Sequence, residues 1–169
     1  MPFIEVMPIV DPRMRGLCRK EYPNHKKGCP NWNKKAGCPP GIPLINEVID
    51  LTKPVYAIYN VFDLAGHINK MKLAHPQWTW RQLVNCLYWQ PKARKRLKYQ
   101  INVALHNIVT NNYDPRLMLI GNPEAHGVNL TETMKNAGIE LEWPPKTKTY
   151  QIVLAGSRIE PLMAQRVMI

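Results

Sequence analysis

Cys18, Cys29 and Cys38 fall within one short stretch of the chain, and two of them stand in the runs Gly28-Cys29-Pro30 and Gly37-Cys38-Pro39-Pro40. Thiolates gathered in this way bind soft or borderline metals. Zinc ribbons and fingers present their ligands as C-x2-4-C pairs, in which a tight knuckle turns both sulfurs inward, and no such pair occurs here. Iron–sulfur cysteines tolerate wider separations. A proline after the ligand suits their loops, because its fixed φ and missing amide turn the chain away from the cluster. Gly28 and Gly37, each just before a candidate ligand, let the backbone pass close to it and offer unhindered amides. The pattern therefore points to a [4Fe–4S] cluster, with zinc as the alternative. Three thiolates leave one coordination position without a cysteine. His25, Cys86 or an exogenous ligand or substrate would fill it, and His25 would give a Cys3His zinc site. The plainer readings are an exposed loop histidine for His25 and a small buried hydrophobe for Cys86.

The Cys18, Gly28-Cys29-Pro30 and Cys38-Pro39-Pro40 arrangement, with the later Asn122-Pro123-Glu124-Ala125 and Gly138-Ile139-Glu140-Leu141 stretches, resembles an uncharacterised family described as predicted cysteine-rich metal-binding proteins. The similarity covers the cysteine segment and the C-terminal third. It implies metal ligation by Cys18, Cys29 and Cys38, and no settled activity.

Other residues carry chemistry of their own. Lys92, Lys95 and Arg96 open a helical pattern; Lys92 and Lys95 point away from its apolar stripe, as a solvated face or a phosphate-contacting, nucleic-acid-binding one. Arg94 lies about 60° around the helix from Leu97, on the side of Ile101 and Leu105. A guanidinium there needs a carboxylate or an anionic substrate. Trp78, Trp80, Tyr88 and Trp89 gather near these cations, as a base-stacking surface would require, although aromatics at such spacing more often pack in a core. Glu124 and His126 lie in a turn after a presumed central strand, where α/β sheets collect ligands, and are candidates for a catalytic acid/base pair; otherwise the turn is a polar connection. GxGxxG, P-loop, GxSxG, HExxH and CxxxCxxC motifs are all absent, so nucleotide kinases, serine hydrolases, zincins and the common radical enzymes have no support.

The net charge of +11 over 169 residues draws anions, whether nucleic acid, nucleotides or acidic membrane surfaces. Part of it sits beside the cysteines, in Arg19, Lys20, Lys26, Lys27, Lys34 and Lys35; most of these read as solvated surface, and the alternative is that they lower thiol pKa and offset the charge of a thiolate-bound cluster. No apolar run reaches about eighteen residues, so a cytoplasmic location is expected. Disulfides are not needed by an intracellular chain with a proper core.

The elements that must position these residues are legible in outline. Residues 3–10 read as a strand interrupted by Pro8. Residues 11–41 lose all periodicity, and a loop of that length inside a compact domain calls for a ligand that organises it. A helix is expected from Pro43, with Leu44, Ile45, Val48 and Ile49 at helical spacing. Residues 55–62 read as a buried strand. Thr79 and Gln82 form a capping box. A long helix from about Pro91 carries the stripe Leu97, Ile101, Ala104, Leu105, Ile108 and Val109. Residues 116–122 read as a central strand, Asn129 and Glu132 as a cap for a helix stopped at Gly138, and 139–143 and 150–155 as two further strands.

The expected fold is α/β: a single domain over 1–169, with a four- to five-stranded mixed sheet, packed helices and the metal-binding loop at 11–41. The expected function is an iron–sulfur protein whose open iron acts on a small or nucleobase-like anionic substrate, by sulfur removal or transfer. That would make it an iron–sulfur-dependent lyase, sulfur-transfer or redox enzyme. The alternative is a non-catalytic nucleic-acid-binding protein with a structural zinc or iron–sulfur site. Either partner is anionic, neither is a membrane, and a homo-oligomer is compatible with both.

Overall fold

Residues 55–63 are rich in β-branched and aromatic side chains, which favour the pleated, half-buried environment of a sheet, and in the computed structural model they form its longest inner pairing. The structure describes residues 3–21, 26–111, 114 and 116–159. Its four strands are β1 (Phe3–Val6), β2 (Val55–Asp63), β3 (Leu117–Ile120) and β4 (Lys148–Ser157), in the order β1-β2-β4-β3. Every pairing is antiparallel, with Val55 opposite Gly156 and Asp63 opposite Lys148 in the β2–β4 ladder.

This corrects the expectation of a mixed sheet, and the reason lies in the topology. The helix α3 (Gln90–Asn111) connects β2 to β3. Both strands run the same way, since β2 begins and β3 begins at the end of β4 marked by Gly156 and Ser157. The crossover is thus the one that sequence alternation implies, but the last strand inserts between the pair and runs against both. β3, expected to be central, is consequently an edge strand. Of the other expected strands, residues 139–143 take no strand structure. Alternating polarity there reflects Leu141 buried against the core beside exposed neighbours, with no ladder partner.

Alternate side chains of each strand face opposite layers. Val55, Ala57, Ile120, Ile152 and Leu154 pack with Ile45 of the 3-10 turn Ile45–Glu47, with Leu130 and Met134 of the helix α4 (Leu130–Asn136), and with Ile49 and Val128 from the connections beside them. On the other face Ile58, Val153 and Ala155 meet Ala104 and Ile108 of α3. The helix expected from Pro43 is only that single 3-10 turn, capped by Glu47, whose carboxylate accepts the Leu44 amide at 2.5 Å. A third cluster closes the end of the sheet. There Leu64 and Ile68 of α1 (Leu64–Ala74), Leu83 of α2 (Trp80–Leu83), Trp89 and Ala93 come together. α1 begins where Asp63 caps the Gly66 amide at 2.8 Å. The capping box at α2 forms as expected, with Thr79 and Gln82 bonded reciprocally, and Asn129 caps α4, which ends before Gly138 at φ 80°. Among the described residues no helix is long and apolar enough to cross a membrane.

Candidate metal centre

Cys18 lies near the end of the 3-10 helix Pro12–Arg19, which Asp11 starts by accepting the Arg13 amide, with Pro12 at its first position. This helix is held against a second 3-10 turn, Pro123–His126, that follows β3. The backbone clasps the two together: the Asp11 amide donates to Gly127 O at 2.6 Å, Asn129 donates to Ile9 O at 2.8 Å, and Val10 bridges Val128. Arg15 completes the clasp, its Nε donating to Ala125 O at 3.1 Å and its Nη2 to Ile42 O. Its guanidinium thereby ties the start of the cysteine segment, its end and the Glu124 turn into one unit.

Cys29 is drawn back onto Cys18 by an amide-to-carbonyl bond of 2.7 Å. Gly28 makes that possible. It is buried, with φ 78°, and a Cβ placed on it would stand 2.6 Å from Cys18 O and 2.7 and 2.8 Å from backbone atoms of Arg19. Only glycine fits there. Gly37 also takes a positive φ, 83°, but a Cβ there would meet nothing within 4 Å. The Cys38 loop is closed by its own bonds: Cys38 N to Lys35 O at 3.0 Å, and Asn33 N to Pro39 O at 2.9 Å, with Pro39 fully buried.

The three cysteines are half-buried, and the charges of Cys29, Cys38 and Glu124 all act on the Cys18 thiol. Burial pushes the Cys18 thiol above its ordinary range, and the neighbouring thiolates and carboxylate push it further. No lysine is among the groups acting on it: Arg19, Lys20, Lys26, Lys27, Lys34 and Lys35 are all exposed, in line with the solvated-surface reading and not with a role in lowering this thiol. Glu124 is desolvated, which raises its carboxyl above the usual range. No cation pairs with it among the described residues. Among the described residues no group of three or more His, Cys, Asp or Glu side chains stands so that it could hold a metal ion.

The other expected site residues divide. Cys86 sits in an exposed 3-10 turn, Cys86–Tyr88, separated from α2 because Asn85 caps a new turn at the Leu87 amide. Its charge is not among those acting on Cys18. His25 lies outside the described residues. His126 and Glu124 are on one 3-10 turn but are not paired: His126 Nδ1 meets Pro43 O at 2.9 Å, and the turn as a whole packs against the helix that carries Cys18. Burial and the Arg15 charge lower the His126 pKa, opposed by the Pro43 contact. Arg94 is exposed, contrary to expectation. The buried line of α3 runs through Ala93, Ala104 and Ile108, which leaves Arg94 roughly 70° off its centre. Lys92, Lys95 and Arg96 are exposed too. The aromatics split: Trp89 stacks on Phe62 at 5.1 Å in the core, Trp78 lies 4.1 Å from His75 and 4.9 Å from Tyr88, and Trp80 is exposed. Glu124's place beside the thiols was not visible in the sequence, because it depends on the clasp between two turns more than a hundred residues apart.

No protein-family model matches the chain, and neither does any curated protein or solved structure.

Proposed function

We propose that Cys18, Cys29 and Cys38 hold a metal centre, in the leading form a [4Fe–4S] cluster, with one coordination position open to substrate and with Glu124 as an acid/base group. The observation that carries this reading is the Cys29 amide bond to Cys18 O at 2.7 Å, made across the tight turn at Gly28, which draws two of the three cysteine loops together. The donor set fits: thiolates suit iron–sulfur clusters and zinc alike. Metal binding requires the thiols to lose their protons and the loops to close around the ion. Gly28 and Gly37 give the backbone that latitude.

When bound, such a cluster would supply a Lewis-acidic iron. The chain's own contribution is the Glu124 carboxyl, which burial keeps protonated to higher pH than usual, so that its Oε can hold a proton for a departing sulfur or oxygen. The exposed lysines of the cysteine segment bring an anionic, nucleobase-like substrate to the mouth of the site. The reaction class proposed is sulfur removal or transfer, as a lyase, transferase or redox step.

The test is anaerobic purification with iron, sulfide and zinc analysis and a visible spectrum. Equal iron and sulfide with a brown chromophore, lost on Cys18→Ser, Cys29→Ser or Cys38→Ser and kept on Cys86→Ser, is the expected result. A colourless protein with stoichiometric zinc would sink the cluster, and a metal-free protein would sink the centre itself. A non-catalytic nucleic-acid-binding role is the second reading, supported by the exposure of Lys92, Lys95 and Arg96 along one helix. It requires affinity for oligonucleotides that falls steeply with salt.

A further inference from the structure

On the α3 side of the sheet, away from the cysteines, a cleft of about 270 Å³ opens where the first turns of α1 and α3 meet. Its cations are Lys70, Lys92 and Arg96, with His67 among them, and its one acidic residue is Asp63. Asp63 is already engaged in capping the Gly66 amide. Among the described residues none of the three permanent cations forms an ion pair. Three like charges in one cleft repel one another, and an anion removes that cost.

Two further features point the same way. His67 Nε2 is buried and has no hydrogen-bond partner among the described residues. Buried polar atoms are nearly always satisfied, so an orphan of this kind marks a missing ligand or water. Lys70 and Lys92 act electrostatically on this same ring. Both helices also present their N-terminal turns to the cleft: Asp63, Gly66 and His67 from an 11-residue helix, and Lys92, Ala93 and Arg96 from a 22-residue one. Helix N-termini carry partial positive charge and favour anions, phosphate in particular.

We propose that this cleft binds the phosphate of a small phosphomonoester, held by Lys70, Lys92 and Arg96 with His67 Nε2 as a further donor. A dianion suits three cations better than a carboxylate does, and the guanidinium fork of Arg96 matches its oxygens. The volume exceeds that of a lone phosphate, since a water occupies about 30 Å³ of liquid. The organic part lies along Tyr88, Phe62 and Trp89, which form the apolar wall. The proposal is independent of the metal centre, and it uses Lys92 and Arg96 while leaving Lys95 and Arg94 as ordinary surface charges.

The experiment titrates inorganic phosphate, ribose 5-phosphate and adenosine 5′-monophosphate into the full chain and follows the His67 ring by NMR. Binding should move the His67 resonances and raise its titration midpoint, which burial, Lys92 and Lys70 hold below the ordinary value in the free protein. The titratable and charged groups that face the ring are Lys70, Lys92, Arg96, Asp63 and Tyr88. At least one monoester should bind about tenfold or more tightly than inorganic phosphate. Lys92→Ala and Arg96→Ala, both exposed and checked for folding by circular dichroism, should each weaken binding about tenfold, a cost of about 1.4 kcal/mol. Lys95→Ala should leave it unchanged. The proposal is overturned if chloride at matched ionic strength moves the ring equally, if Lys95→Ala weakens binding as much as Lys92→Ala, or if millimolar phosphate leaves His67 unmoved. It is also overturned if a short single-stranded oligonucleotide binds with these same substitutions mattering while no monoester does.

Discussion

Replacing Gly28 by alanine tests the geometry of the cysteine segment, and Gly37→Ala supplies its control. Both glycines hold φ near 80°, at 78° and 83°, so each substitution carries the left-handed penalty of about 1–2 kcal/mol. Each is partly offset by about 0.4–1 kcal/mol from a stiffer unfolded chain. The two differ in their surroundings. At Gly37 the new methyl enters open space, while at Gly28 it stands 2.6 Å from Cys18 O and under 3 Å from two backbone atoms of Arg19. Backbone cannot step aside as a side chain does, and an intrusion of one methyl into packed structure costs about 1–3 kcal/mol. Taking about 2 kcal/mol for the difference, the Cys29 amide bond to Cys18 O should open roughly 30-fold more often in Gly28→Ala than in Gly37→Ala. Amide hydrogen exchange at Cys29, read by NMR, measures this directly, and metal affinity in a chelator competition should fall in the same ratio. Equal exchange in the two variants would refute the close approach and, with it, the pairing of Cys18 and Cys29.

Two more outcomes follow from single contacts. Asn60 is buried at 3% exposure and its Nδ2 donates to Gln151 Oε1 at 2.8 Å and to Ala93 O at 3.3 Å, tying β2 to β4 and to the start of α3; Asn60→Ala should cost about 1–3 kcal/mol in urea denaturation. Glu142 accepts from the Lys146 and Thr147 amides at 2.9 and 2.8 Å and from the Thr147 hydroxyl, and these bonds, the Thr147 hydroxyl first, lower its pKa to about 2. Because the folded value lies below the ordinary one of 4.5, its contribution is fully present above pH 4.5 and is lost as pH falls towards 2. Glu142→Gln should flatten the stability profile over that window, and an unchanged profile would remove Glu142 from the account.

The parts of the fold that were legible are those fixed by local chemistry. The caps at Thr79 and Asn129, the stop at Gly138, β2, β4 and the long α3 all follow from side chains within a few residues of one another. α1 escaped notice because its apolar face is thin, with only Leu64 and Ile68 buried. What local pattern cannot supply is the order of strands: the run Leu117–Ile120 is as apolar as a central strand, yet β4 takes the middle, and apolarity alone does not tell an edge covered by a turn from a centre. The same limit applies to the site. The Gly-Cys-Pro runs drew attention to Gly28, which is the tight point of the segment, but the packing of the Glu124 turn against the Cys18 helix depends on Arg15 and the Val10–Val128 bridge. Arg94 was misplaced because a long apolar stripe was centred one position off the line through Ala93 and Ala104.

The two candidate sites also differ in what holds them. Among the described residues none between Val10 and Ile45 belongs to any of the three core clusters, so the cysteine segment draws its order from backbone bonds, from the Arg15 clasp and, on the present reading, from a metal. Apolar burial does little to offset the conformational entropy lost in ordering those residues. The cationic cleft is the opposite case: Leu64, Ile68, Trp89 and Ala93, which set the helices that line it, are packed in one cluster at the end of the sheet. A ligand there is not required for the fold. Loss of metal should therefore loosen the cysteine segment and leave the cleft intact, whereas a change that unpacks Trp89 from Phe62 should disturb the cleft and spare Cys18.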